Sequence, residues 1–375
     1  MNIALLGFGT VGKSFYDMTV GRSDLQVTAV LSRRPRENLT CLVSADFQEI
    51  LSSGVDTVVE VMGGLHPAYE YVCASLRAGK HVVTANKWLM CEYYEELVSL
   101  AQKNGVAIRC TAAAGGGIPW LTNLERVTRF DEIYKVDGIL NGTTNFILDA
   151  MTKNGSDYGE ILAEAQRLGY AEADPTADVE GYDARRKLVL SANVAFGVVL
   201  KEDDIPCFGI ATVSASDITT FTEHGLVCRL IASAEQTEDH AITATVEPTL
   251  FPANAAEAAI AGSGNHVVLY AKHIGIQSFS GAGAGGLPTG SNVLCDCLNI
   301  LDGCRKFYTD KFIPTSAAGS ILRRYYIRTA AEISVEIEDT MGNGIITAPI
   351  SAAQAHCLAA ELRRQDGSTF MAALR

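Results

Sequence analysis

A short stretch near the middle of the chain, Gly169 to Lys187, reads GYAEADPTADVEGYDARRK. It carries Glu172, Asp174, Asp178, Glu180 and Asp183, and three cations, Arg185, Arg186 and Lys187, follow at once. Pro175 breaks the middle, so the first half reads as a loop. The second half runs into RRKLVLSANVAFG, a helical pattern of good formers. Asp183 and Lys187 lie four apart and share a face of that helix. A carboxylate-rich loop beside an ammonium suits a small ligand with an amino group and a reacting oxygen. An isolated Asp and Lys at this spacing is more often a surface ion pair, and it is the remainder of the chain that turns the balance.

The elements that must position such a pair begin at the N-terminus. Asn2-Ile-Ala-Leu-Leu-Gly reads as a strand buried on both faces. Gly7-Phe8-Gly9-Thr10-Val11-Gly12 follows, then a helix. This is GxGxxG between strand and helix, the context in which it marks a dinucleotide site. Gly7 permits the turn, Gly9 lets a pyrophosphate approach, and Gly12 lets helix and strand pack. The phosphates then face the helix N-terminus. The next strand, Leu25 to Leu31, ends in Ser32-Arg33-Arg34-Pro35-Arg36 where an NAD site usually offers a carboxylate. Arg33 and Arg34 can clamp a 2′-phosphate, so NADP is the expected cofactor and NAD the alternative.

Alternating strands and helices continue: strands at Asp56–Met62, Lys80–Thr84 and Val106–Cys110, helices at Pro67–Ala78 and Trp88–Asn104. That spacing predicts a parallel, doubly wound sheet. Its ligands bind at the strands' carboxyl ends, which places Thr84 and Lys87, within Thr84-Ala-Asn86-Lys87, at the mouth. Thr111-Ala-Ala-Ala114-Gly115-Gly116-Gly117-Ile118 is a loop that exposes carbonyls and amides. It can take a phosphate, a substrate or a hard cation, or serve as a hinge.

Farther along, Ile133–Leu140 reads as a strand, and Asn141-Gly142-Thr143-Thr144-Asn145 leads into a helix at Phe146–Met151. Gly142 and Thr143 can present amides to a carboxylate or simply form a turn and cap. Helix Tyr158–Leu168 leads into the acidic stretch. Strands at Leu226–Ala232, Ile242–Val246 and Val267–Ile274 suggest an antiparallel sheet, with helices on one face and a partner subunit on the other. A second glycine loop, Gly281-Ala-Gly283-Ala-Gly285-Gly286, precedes helix Gly290–Leu301, with Gly285 on the cofactor side.

A chain of 375 residues with 48% hydrophobic and 19% charged residues is globular and larger than one ordinary domain. With a net charge of -13 and no basic block, nucleic acid is not expected as a partner. No apolar run is long enough to span a bilayer. The glycine motif starts within the first residues, so no secretory leader is expected. The scattered cysteines read as reduced thiols of a cytoplasmic protein.

Taken in order, GFGTVG, TANK, GGGIP, LNGTTNFIL, the acidic stretch and GAGAGGLPT resemble the homoserine dehydrogenases over residues 1 to about 300. The fingerprint is generic; NGTTN followed by the acidic stretch is specific. The resemblance implies NAD(P)H-linked reduction of aspartate 4-semialdehyde to homoserine, on the way to threonine and methionine, by a homodimer or larger homo-oligomer. It implies Lys187 as the proton donor, Asp183 as its orienting partner and Lys87 as a cofactor-side lysine. Glu172 would hold the substrate amino group, with Asp178, Tyr170, Gly142 and Thr143 completing the pocket. Hydride attack builds charge on the carbonyl oxygen. A lysine ammonium can stabilise that charge and donate the proton.

The resemblance also implies a monovalent cation, Na or K, at Thr111, Ala114, Gly116 and Ile118. Thr111 stands where the family often has a glutamate, and its neutral hydroxyl weakens that site. The expected fold is α/β: a Rossmann-type parallel sheet over 1–118, completed by a helix near 288–320; an α+β catalytic and dimerisation domain over 119–287; and a truncated ACT-like tail over 323–375. Two alternatives stay open, another NAD(P)-dependent aldehyde or imine reductase and a non-catalytic NADP(H)-binding redox sensor. A phosphorylating semialdehyde dehydrogenase would need an activated cysteine, and no sequence feature gives Cys110 a base.

Overall fold

The computed structural model describes residues 1–36, 39–237, 241–304, 313–314 and 321–375. The chain divides into two compact units. The first comprises Met1–Phe130, Asn193–Val199 and Ala282–Pro314; the second comprises Asp131–Ala192, Leu200–Gly281 and Thr315–Arg375.

In the first unit β1 (Asn2–Leu6), β2 (Gln26–Leu31), β3 (Leu42–Ser44), β4 (Thr57–Glu60), β5 (His81–Thr84) and β6 (Ile108–Arg109) form one sheet in the order β3-β2-β1-β4-β5-β6. All its pairings are parallel. The reversal of strand order on either side of β1 makes the crevice in which such sheets bind ligands. Most residues of β1, β2, β4 and β5 are buried, as expected for a parallel sheet covered on both faces. Ile3, Leu5, Val30, Val59 and Val83 share one core with Phe15 and with Val293, Cys297 and Ile300. The last three lie on helix Gly286–Leu301, which therefore packs into this unit although it is far away in sequence. The part of the expected 288–320 helix at 305–312 and 315–320 lies outside the described residues. The unit also runs past the expected boundary at 118, because helix Trp120–Thr128 buries Trp120, Leu121 and Leu124 within it.

The second unit holds a nine-stranded sheet. Its order is Gly275–Ala282, Gly264–Ala271, Ile133–Ile139, Leu226–Gln236, Ile242–Pro252, Phe370–Leu374, Tyr325–Arg328, Gly344–Thr347 and Ile337–Met341. Leu226–Gln236 and Ile242–Pro252 run longer than the expected 226–232 and 242–246, while the expected 267–274 is shifted to Gly264–Ala271. Ile242–Pro252 is buried along nearly its whole length, so polar Glu247 and Thr249 lie inside and break the apolar pattern that would have marked it. Helix Gly142–Asn154 likewise outruns the expected 146–151. Asn141 caps it at one end, and Gly155 closes it in the left-handed conformation at the other.

The expected separate ACT-like tail is not a unit of its own. Its strands continue the large sheet, Phe370–Leu374 pairing parallel to Ile242–Pro252 and antiparallel to Tyr325–Arg328. Arg375 fastens it. Its guanidinium donates to Asp137 Oδ2 at 2.6 Å and Oδ1 at 3.1 Å. Burial alone would raise the Asp137 carboxyl, but Arg375 holds it down at about 2. The folded value lies below the ordinary 3.8, so this contribution is present above that pH and is lost as pH falls from there through about 2. Arg375→Ala leaves the buried Asp137 carboxylate to the more distant Lys135 ammonium, at 3.5 Å, and should cost up to about 3–5 kcal/mol at neutral pH. Denaturant unfolding checks this, and a loss that does not shrink on acidification through that window would refute the assignment.

Candidate active site

In the first unit the glycine fingerprint joins β1 to helix Thr10–Thr19. Gly7 has φ 101°, and a Cβ at Gly12 would lie 2.2 Å from the Gly7 carbonyl oxygen, so both are required by the fold itself. Gly9, the helix N-cap, differs: a Cβ there would meet nothing within 4 Å. That open space is compatible with the close approach of a pyrophosphate. Phe8, Thr10 and Val11 are half-buried or exposed around it. Arg33 and Arg34 stand exposed beyond β2, while the Arg36 guanidinium lies 5.1 Å from the Phe8 ring centroid. Gly285 is the residue before helix Gly286–Leu301.

At the carboxyl edge of the same sheet Thr84 is fully buried. Its hydroxyl donates to Glu60 Oε2 at 2.5 Å, and the Glu60 carboxyl also accepts from Met62 N at 2.7 Å. The Thr84 side chain is thus taken up internally, its hydroxyl also accepting from Asn86 N at 3.0 Å. Burial raises the Glu60 carboxyl above its ordinary range. Glu60 went unremarked in the sequence because it sits in an apolar strand pattern. Lys87 opens helix Lys87–Lys103, whose N-cap Asn86 accepts from Leu89 N at 3.1 Å and donates to the Gly64 carbonyl at 2.6 Å. Cys110 is fully buried and its thiol is pushed far up, so it is no nucleophile.

Three of the four residues expected to ligate a monovalent cation have those oxygens engaged by the chain itself. The Thr111 hydroxyl donates to Asp296 Oδ1 at 2.8 Å and lies 2.6 Å from Thr122 Oγ1. The carbonyls of Gly116 and Ile118 accept from one amide, Asn292 Nδ2, at 2.6 and 2.9 Å. Ala114 is buried in the same loop.

The second unit gathers the charged residues of the sequence into one cluster. Helix Tyr182–Phe196 carries Asp183 and Lys187 a turn apart, both about nine-tenths buried. Lys187 Nζ donates to Asp183 Oδ2 at 2.7 Å and to the Leu140 carbonyl, at the end of strand Ile133–Ile139, at 2.7 Å. Two of its three N–H bonds are thereby used, and the third has no acceptor among the described residues. Asn141 Nδ2 donates to Asp178 Oδ1 at 2.7 Å and to Asp183 Oδ2 at 2.9 Å, while its Oδ1 accepts from Thr144 N at 2.8 Å. Thr143 Oγ1 donates to the Tyr170 carbonyl at 2.6 Å and lies 3.3 Å from Asp178 Oδ2. Burial raises the Asp178 carboxyl; Asn141 opposes this, Asp183 adds to it and Lys187 opposes it. Two carboxylates and one ammonium leave the cluster one negative charge in excess.

The rest of the acidic stretch is structural or exposed. Glu180 pairs with Arg363 at 3.3 Å, Asp174 caps Thr176, and Arg185 and Arg186 both pair with Glu202 at 2.9 Å. Glu172 is exposed and is not brought into the cluster; among the described residues its backbone carbonyl accepts from Gln166. Tyr170 presents a half-exposed ring against Phe146, and a Cβ at Gly142 would lie 2.7 Å from the Ser263 carbonyl oxygen. Asn141 and the Leu140 carbonyl are the members that the sequence did not single out. The only available signal was a capping asparagine at a strand end.

The family model of homoserine dehydrogenase matches residues 119–298, and that of the homoserine dehydrogenase NAD binding domain matches residues 7–111. The homoserine dehydrogenase of Corynebacterium glutamicum is 39% identical over 91% of this chain and 81% of its own length. The chain belongs to the homoserine dehydrogenase family. It is accordingly an NAD(P)-dependent oxidoreductase acting on a small molecule. The homoserine dehydrogenase of Synechocystis sp. is 39% identical over 80% of the chain and 73% of its own length. The crystal structure of a homoserine dehydrogenase from Thiobacillus denitrificans covers 100% of this chain and 98% of that one with a TM-score of 0.87, at 28% identity. Among the described residues no helix is long and apolar enough to cross a membrane.

Asn141 ties the two carboxylates and caps helix Gly142–Asn154 at once. Asn141→Ala should lower stability by about 1–2 kcal/mol from the lost cap. An unchanged denaturation midpoint would show that the cap contributes nothing.

Proposed function

We propose that the chain reduces L-aspartate 4-semialdehyde to L-homoserine with Lys187 as the proton donor. The observation that carries this reading is the Lys187 ammonium, fixed by the Leu140 carbonyl and Asp183 with one N–H still free to meet a substrate oxygen. The cofactor held by the glycine fingerprint supplies the hydride, which forms the new C–H bond at the aldehyde carbon. The carbonyl electrons move onto oxygen, and Lys187 stabilises that charge and hands over its proton. Asp183 aims the amine, and Lys87 adds a positive pole at the first unit's carboxyl edge. The excess negative charge around Asp178 favours a substrate that carries an ammonium, with Thr143, Gly142 and Tyr170 shaping that side. Glu172 stands exposed and would reach the amino group only by moving inward.

NADP is the preferred cofactor in this reading, supported by the exposed Arg33 and Arg34 beyond β2. A homo-oligomer through the second unit is supported by the largely exposed edge strand Gly275–Ala282, whose outer backbone groups invite pairing. A cytoplasmic location is supported by ten cysteines that are all free thiols.

Lys187→Ala should keep NADPH binding and lose roughly 10²–10⁴-fold in kcat. NADPH oxidation with aspartate semialdehyde measures this, and near-normal turnover would overturn the role. Arg34→Ala should cut kcat/KM for NADPH roughly ten- to hundredfold while sparing NADH. An equal loss with both coenzymes would instead mean a general structural defect.

A further inference from the structure

The triple-glycine loop and the second glycine loop belong to the same unit and meet backbone to backbone. Gly117 N donates to the Ala282 carbonyl at 2.9 Å, and a Cβ at Gly116 would lie 2.3 Å from Gly283 C. Loops this short of side chains have little to pack, and something polar must hold their carbonyls. Asn292, on helix Gly286–Leu301, is buried, and both N–H bonds of its amide are used, one on Gly116 and one on Ile118. A ring of carbonyl oxygens around one point is also how proteins bind monovalent cations. Here the point at which the two carbonyls converge is a nitrogen of the chain itself.

Asp296, the carboxylate bonded to Thr111 at the start of the loop, is already neutralised: it is fully buried and paired with Arg109 Nε at 2.9 Å. It also accepts from Thr111 N at 2.7 Å and from the Thr111 hydroxyl. Arg109 Nη2 donates to Thr122 Oγ1 at 3.2 Å, which leaves the Thr122 hydroxyl to donate to Thr111 and Thr111 to donate to Asp296. Every donor in this ring faces an acceptor, so Thr111 has no reason to turn its oxygen toward an ion.

We propose that the Asn292 amide performs in this chain the task of a bound monovalent cation, ordering the Gly115–Ile118 loop, so that neither loop order nor turnover depends on sodium or potassium. Only the turnover half rests on the reading of the chain as an aspartate semialdehyde reductase. The structural half concerns the loop alone.

The test compares choline, sodium and potassium chlorides at equal ionic strength on the full chain, reading Tm and, separately, NADPH oxidation. The wild-type protein should give the same Tm and the same rate in all three. Asn292→Asp replaces the two donors by oxygens facing the carbonyls. Its Tm should fall by at least about 2–4 °C in choline and be restored by sodium or potassium. Asn292→Ala serves the same end by vacating the point, should the aspartate variant not fold. A wild-type Tm or rate that rises with sodium or potassium would overturn the proposal. So would an aspartate variant as stable in choline as the wild type. Failure to turn over the semialdehyde at all would count against the functional reading and leave the Tm comparison decisive for the loop.

Discussion

A buried ammonium must be surrounded by acceptors, and the second unit is arranged around that need. Lys187 is nine-tenths buried and would be costly there alone. A backbone carbonyl and a carboxylate compensate it. That carboxylate, Asp183, is itself held by Asn141, which also holds Asp178. The result is a chain of donors and acceptors in which each charge fixes the geometry of the next. The one N–H left over has a defined direction because the other two do not move.

Three elements meet to make this cluster. Strand Ile133–Ile139 ends at the carbonyl of Leu140, helix Gly142–Asn154 begins with the cap Asn141, and helix Tyr182–Phe196 brings Asp183 and Lys187. The strand is the third of nine and is flanked on both sides by antiparallel neighbours, so its end is fixed by two ladders. A side chain held on a helix opposite a doubly paired strand loses little entropy when a ligand arrives. The first unit treats its cofactor edge in the same manner. Thr84 and Glu60 engage their buried side chains with each other.

The tail extends this logic. It adds four strands to the large sheet, and Arg375 reaches back to Asp137 on strand Ile133–Ile139, a few residues before Leu140. The sheet that positions the lysine is therefore braced by residues from the far end of the chain.

Much of this was legible in the sequence. The glycine fingerprint, the βα alternation and the Asp183–Lys187 spacing each follow from local periodicity, and local periodicity is what a sequence displays. The helix read at Gly290–Leu301 was legible in the same way, although it begins four residues earlier, at Gly286. The sequence could not say what the other four acids between Glu172 and Asp183 would meet. Glu180, Asp174 and Glu172 look the same in one dimension, and only their partners Arg363, Thr176 and open solvent separate them. Nor could it show that Asn292 sits between the carbonyls of Gly116 and Ile118, since that contact joins residues far apart in the chain. The residue types and their local spacing were thus determined by the sequence itself. Which charges became neighbours was decided by the tertiary structure, because the partner of a buried charge is chosen by packing and not by distance along the chain.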